Sequence, residues 1–119
     1  MSAKECRVLI VEDDADTREA LAEALADAGF LVEQATSAVE ALEQIVKNGQ
    51  PDVILLDLRM PGMDGTQFLD RTVHLKSRVI VLTGDASARL LQVARDAKVM
   101  QKPVDLEELE TAVKEACAA

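Results

Sequence analysis

The chain has 119 residues, enough for one domain whose single hydrophobic core needs no staples. Apolar residues make up 49% and charged residues 29%, and 13 basic against 22 acidic residues leave a net charge of −9, which excludes the basic stripe of a nucleic-acid-binding surface. No apolar run approaches the roughly 18 residues of a membrane span, and Met1 to Glu5 lack a signal-peptide pattern. A cytoplasmic protein is therefore expected, with Cys6 and Cys117, far apart and without metal-ligand spacing, as free reduced thiols.

Residues 7–11, Arg-Val-Leu-Ile-Val, form a near-continuous apolar run, the mark of a parallel strand buried on both faces. A helix is predicted over 15–28, with Leu21, Leu25 and Ala28 on one face and Gly29 just past its end. Residues 31–35, Leu-Val-Glu-Gln-Ala, read as a weaker, polar strand. Ser37 with Glu40 three residues on is a capping-box pattern opening a helix over 38–48, with Leu42, Ile45 and Val46 as its apolar face and Gly49 closing it. A second apolar strand over 53–56 is followed by a helix over 66–74 carrying Phe68 and Leu69 inward. A third, over 79–82, is followed by a helix over 88–96 capped by Ser87, with Leu90, Leu91 and Ala94. Residues 98–101 form a short polar-flanked strand. The last helix spans 106–117 after Asp105, with Leu106, Leu109, Val113 and Ala116 inward.

The order is (βα)5 in a single domain over 1–119, an α/β protein with a doubly wound five-stranded parallel sheet covered by helices on both faces. The three most apolar strands belong in the centre and the two polar ones at the edges. With right-handed crossovers that gives the order 2-1-3-4-5, shared by flavodoxin and CheY.

Ligands bind such sheets at the carboxyl ends of the strands, at the switch point between strands 1 and 3. Strand 1 runs into Glu12, Asp13 and Asp14, strand 3 into Asp57, strand 4 into Thr83, Gly84 and Asp85, and strand 5 into Lys102 and Pro103. Taken alone each has a plain reading: Asp13 or Asp14 as a helix cap, Asp57 and Thr83 as turn residues, Lys102 as a solvated cation. Their meeting on one sheet edge is what points to chemistry. Crowded carboxylates repel one another, and a hard divalent cation such as Mg²⁺ relieves the repulsion. Lys102 and Thr83 would neutralise and hydrogen-bond a phosphoryl group, which leaves one carboxylate as a nucleophile.

From Val8 to Ala116 the chain resembles the receiver domains of response regulators. The run Leu9 to Asp14 resembles the family's first motif, and the run from Asp57 through Arg59, Pro61, Gly62, Asp64 and Gly65 its most specific signature. The resemblance implies Asp57 as phospho-acceptor, with Thr83 as switch hydroxyl and Lys102 as phosphate-binding lysine. It implies Glu12, Asp13, Asp57 and the backbone carbonyl of Arg59 as ligands to Mg²⁺. Gly62 and Gly65 would shape the loop, Gly84 would be the small residue after the threonine, and a cis bond would precede Pro103. It further implies a signalling switch rather than an enzyme, one that catalyses its own phosphorylation and slow aspartyl-phosphate hydrolysis. A sensor histidine kinase or histidine phosphotransfer protein would be the donor. A downstream protein target would read the face built by 88–96, 98–101 and 106–117. No nucleic acid or membrane partner is implied, and homodimerisation is left open.

Two departures stand out. The family's usual aromatic residue three positions before the lysine is Val99, in a chain with no Tyr or Trp. The interval from Thr83 to Lys102 is short by roughly three residues, nearly one helical turn. A truncated or irregular helix over 88–96, or loop after it, and a nonstandard output route through mobility of that helix are expected; amide exchange over 84–101 with and without phosphate would test it. The alternative is a pseudo-receiver acting as a phosphorylation-independent binding module; the intact Glu12, Asp13, Asp57, Thr83 and Lys102 speak against it. A haloacid-dehalogenase-type hydrolase would need a second Asp where Arg59 stands, and a flavodoxin-like redox protein would need aromatics to stack on flavin. His74 reads as a solvated surface residue.

Overall fold

Three apolar runs and two more polar segments become five strands of one parallel sheet: β1 (Arg7–Val11), β2 (Leu31–Ala35), β3 (Val53–Asp57), β4 (Arg78–Thr83) and β5 (Lys98–Gln101), in the order β2-β1-β3-β4-β5. The structure is a computed structural model and describes residues 6–57, 77–84 and 97–118. The predicted helices over 66–74 and 88–96, the shortened link after the second, His74, Asp85 and the loop residues Arg59, Gly62 and Gly65 lie outside the described residues.

Burial follows the expected order. All five residues of β3 are buried, as are the last four of β1 and of β4. The edge strands β2 and β5 stay largely half-buried or exposed, which lets them carry Glu33, Gln34, Lys98 and Gln101. Side chains alternate between faces with period two. Val8, Ile10, Val53, Leu55, Ile80 and Leu82 pack on one face under α1 (Ala15–Asp27) and α3 (Leu106–Ala118). Leu9, Val11, Ile54 and Leu56 pack on the other under α2 (Ala38–Asn48). Each fully buried Leu or Ile contributes roughly 1.5–3 kcal/mol.

The helix ends are held by local polar groups. Asp14 caps α1, its carboxylate accepting from the Thr17 N–H (2.9 Å) and hydroxyl (2.6 Å), and Gly29 follows at φ 102°. Ser37 caps α2, its hydroxyl accepting from the Glu40 N–H at 3.1 Å. Glu40 reaches one residue further back than a capping box requires, accepting from the Thr36 N–H at 2.9 Å. Asp105 accepts from the Glu107 N–H at 2.8 Å at the start of α3.

Three expectations need correction. In α2 the buried residues are Ala38, Ala41 and Ile45, while Val46 is 88% exposed; the two alanines let the helix sit close and centre its buried stripe on themselves. In α3 Leu106 is half exposed and Ala112 takes its place beside Leu109 and Val113. Cys6 and Cys117 are not free thiols but joined in a disulfide, with Cα atoms 6.0 Å apart. A separation of 111 residues hid what the fold brings together: the residue before β1 and the last turn of α3 both pack at the rim of one core cluster. Among the described residues no helix is long and apolar enough to cross a membrane.

Candidate functional site

Strand register builds the site. Val11 pairs with Leu56, Asp57 with Leu82, and Thr83 with Gln101, so β1, β3, β4 and β5 end side by side. The residues at or just past these ends are Glu12, Asp57, Thr83 and Lys102. Period two puts Glu12 in line with Val8 and Ile10, Asp57 with Val53 and Leu55, and Lys102 with Met100, all on the α1/α3 face. Thr83 follows Val79 and Val81 on the other face, at the same edge.

Among the described residues the buried polar or charged side chains are Glu12, Asp57 and Thr83, 2%, 3% and 4% exposed. Burying polar groups is costly and burying charge more so, and two carboxyls and a hydroxyl gathered at one sheet edge point to a site. Lys102 Nζ donates to Asp57 Oδ2 at 2.9 Å. The lysine is itself pinned: its N–H donates to the Thr83 carbonyl at 2.7 Å, and the Lys102–Pro103 bond is cis, as expected.

Glu12, Asp13 and Asp57 each offer a carboxylate oxygen, and these oxygens lie within 4.8 Å of one another. Glu12 Oε2 accepts from the Asp14 N–H at 3.2 Å. Glu12 Oε1 is buried and has no hydrogen-bond partner among the described residues. Burial, then the neighbouring Asp57 carboxyl, push the Glu12 pKa up to about 7, against the opposing pull of the Asp14 N–H and of Lys102. Asp14 behaves differently: its bonds from Thr17 hold it below the usual carboxylate range, and it stands apart as a helix cap. That buried Glu12 oxygen and the two neighbouring carboxylates form a donor set that fits a hard divalent cation.

Of the expected site residues, the structure thus brings together Glu12, Asp13, Asp57, Thr83 and Lys102; Arg59 lies outside the described residues. Gly84 follows Thr83, and a Cβ added there would meet nothing within 4 Å. Val99 is half-buried against Val81 in β4, an aliphatic side chain where the resemblance would have put an aromatic one. Sequence reading missed Arg18, whose Nη1 donates to the Glu12 carbonyl at 3.1 Å. Nothing in its helical spacing marks it, since the bond goes to main chain across a loop.

The model of the response regulator receiver domain family matches residues 8–114. Sporulation initiation phosphotransferase F of Bacillus subtilis (strain 168) is 33% identical over 113 residues, covering 91% of this chain and 90% of that protein. Several other curated relatives are longer, and the chain spans between 12% and 36% of their length. The CheY-like response regulator receiver domain protein from Methanospirillum hungatei JF-1 is 30% identical with a TM-score of 0.90, covering 97% of this chain and 95% of that one. The response regulator protein TrrA from Thermotoga maritima, solved in complex with Mg(2+)-BeF, is 29% identical with a TM-score of 0.83, covering 92% and 97%.

Proposed function

The chain belongs to the response regulator receiver domain family, and from that premise we propose that it is a phosphorylation switch whose acceptor is Asp57. The observation that carries this reading is the pairing of Asp57 with Lys102 at 2.9 Å beside a second buried carboxylate whose Oε1 lacks a partner among the described residues.

The donor is a phosphohistidine on a sensor kinase or phosphotransfer protein. A carboxylate oxygen of Asp57 attacks the phosphorus. The P–N bond breaks with its electron pair going to the imidazole, which takes up a proton, and an acyl phosphate O–P bond forms. Lys102 then exchanges its bond to Asp57 for one to a phosphoryl oxygen, and the Thr83 hydroxyl donates to another. Glu12, Asp13 and Asp57, with the Arg59 carbonyl, would hold Mg²⁺, which when bound neutralises phosphoryl charge. The Mg(2+)-BeF complex of TrrA supports that choice of metal. Water attack on the same phosphorus returns Asp57 and free phosphate, so the chain is a switch that resets itself, not an enzyme turning over a separate substrate.

The new charge at β3 biases the position of Thr83 and, through it, the protein-binding face that includes β5 and α3. Because Val99 cannot act as the family's moving aromatic, we assign the response to the segment 84–101. We place the protein in the cytoplasm, where the Cys6–Cys117 bond would be open to reduction.

Intact-protein mass after incubation with acetyl phosphate and Mg²⁺ tests the core of this reading. One phosphoryl adduct is expected in the wild type and none in Asp57→Asn or without metal. Absence of an adduct, together with failure to form a beryllofluoride complex, would leave a pseudo-receiver that binds partners without phosphate.

A further inference from the structure

Glu12 is anchored through both of its main-chain groups. Its N–H donates to the Ala35 carbonyl at 3.1 Å, which extends the β1–β2 ladder one step past the strand. Its carbonyl accepts from Arg18 Nη1 at 3.1 Å. The same guanidinium donates through Nε to Gln34 Oε1 at 3.1 Å. The Gln34 carbonyl in turn accepts from Gln44 Nε2 at 2.7 Å. Arg18 therefore sits in the first turns of α1 and fixes the end of β1 to β2 and, through Gln34, to α2.

The bond to the carbonyl has a specific geometric effect. That C=O belongs to the planar peptide unit joining Glu12 to Asp13. Holding it sets the rotation about both flanking bonds, and so the direction in which the two carboxylates leave the chain. A guanidinium suits the task because its donors are fixed in one plane. An ammonium would supply the charge without the fork.

We propose that Arg18 is a positioning residue for the cation site, fixing the Glu12–Asp13 peptide plane so that both carboxylates converge with Asp57. This rests on the metal-dependent reading above. Two physical effects oppose each other here. Positioning by Arg18 raises cation affinity, as partners of metal ligands commonly do by tenfold or more. Its positive charge close to the site lowers affinity by repulsion.

Calorimetric Mg²⁺ titration of the full chain decides between them, comparing wild type with Arg18→Ala, Arg18→Lys and Gln34→Ala, alongside metal-free urea midpoints. Both Arg18 variants are expected to weaken Mg²⁺ binding about tenfold, with Gln34→Ala weakening it less. The metal-free midpoints should shift little, since Arg18 is half-exposed. Should Arg18→Ala fail to fold, Arg18→Lys and Gln34→Ala carry the test. Unchanged or tighter binding in Arg18→Ala, wild-type binding in Arg18→Lys, or a lowered midpoint with unchanged affinity would each overturn the assignment. A wild type that takes no Mg²⁺ would overturn the metal-dependent reading itself, and the assignment with it.

Discussion

At the amino ends of the strands, Arg7 and Glu33 pair at 3.2 Å with 29% and 33% of their side chains in water. Asp52 accepts there from the Arg7 N–H at 2.8 Å, and Cys6 is bonded to Cys117. At the carboxyl ends, Glu12 and Asp57 lie against one another almost without solvent, and one Glu12 oxygen has no partner among the described residues. The same five strands thus present a settled end and a stressed one. The settled end uses charge where water and counter-charges make it cheap. The stressed end holds charge that the Asp14 N–H and Lys102 offset in part, and that is where chemistry is possible.

The largest way to break the contrast is to remove the cross-link. Closing a loop of this length stabilises by about 5 kcal/mol in the chain-entropy view. Reduction, or Cys117→Ser, is therefore expected to lower urea stability by about that much while leaving Mg²⁺ affinity unchanged. A loss of Mg²⁺ affinity would show that the two ends are coupled.

Next comes the stressed carboxylate. With its folded pKa raised from 4.5 to about 7, Glu12 keeps its proton in the folded state where the unfolded chain has lost it. The stability this contributes is present below about pH 4.5 and is lost as pH rises through 7. Metal-free wild type should therefore lose about 3 kcal/mol relative to Glu12→Gln between those limits, and Mg²⁺ at pH 8 should restore much of it in wild type alone. Parallel pH profiles for wild type and Glu12→Gln would remove the claim of stress.

The smallest effect sharpens the contrast within the carboxyl side. Ser37 is polar and serves as the cap of α2, its hydroxyl accepting from the Glu40 N–H. Ser37→Ala is expected to cost about 1 kcal/mol in thermal or urea unfolding, without pH dependence. A pH-dependent loss would mean that stress spreads beyond Glu12 and Asp57.

Much of this was readable in advance. Residues 7–11, 53–56 and 79–82 announced themselves as central strands because burial on two faces demands near-continuous apolar runs. The strand ends then brought Glu12, Asp57, Thr83 and Lys102 together by topology alone. What failed to show were choices that periodicity leaves open. Ile45 and Val46 lie about 100° apart around the helix, and the small Ala38 and Ala41, not hydrophobicity, decided which faced the sheet. Leu106 lost its place to Ala112 in the same way. The Cys6–Cys117 bond and the reach of Arg18 to the Glu12 carbonyl join positions that meet only in three dimensions, one through sulfur and one through main chain, and neither leaves a spacing to read.

The sulfur bridge also decides how the fold bears load. Tension applied to the chain outside Cys6 and Cys117 passes from one sulfur to the other and bypasses the sheet. Reduced, the same pull is borne by the packing of α3 and by the hydrogen bonds of β1, the strand that aligns Glu12 with Asp57. Oxidation therefore insulates the site from mechanical strain arriving through the chain's ends.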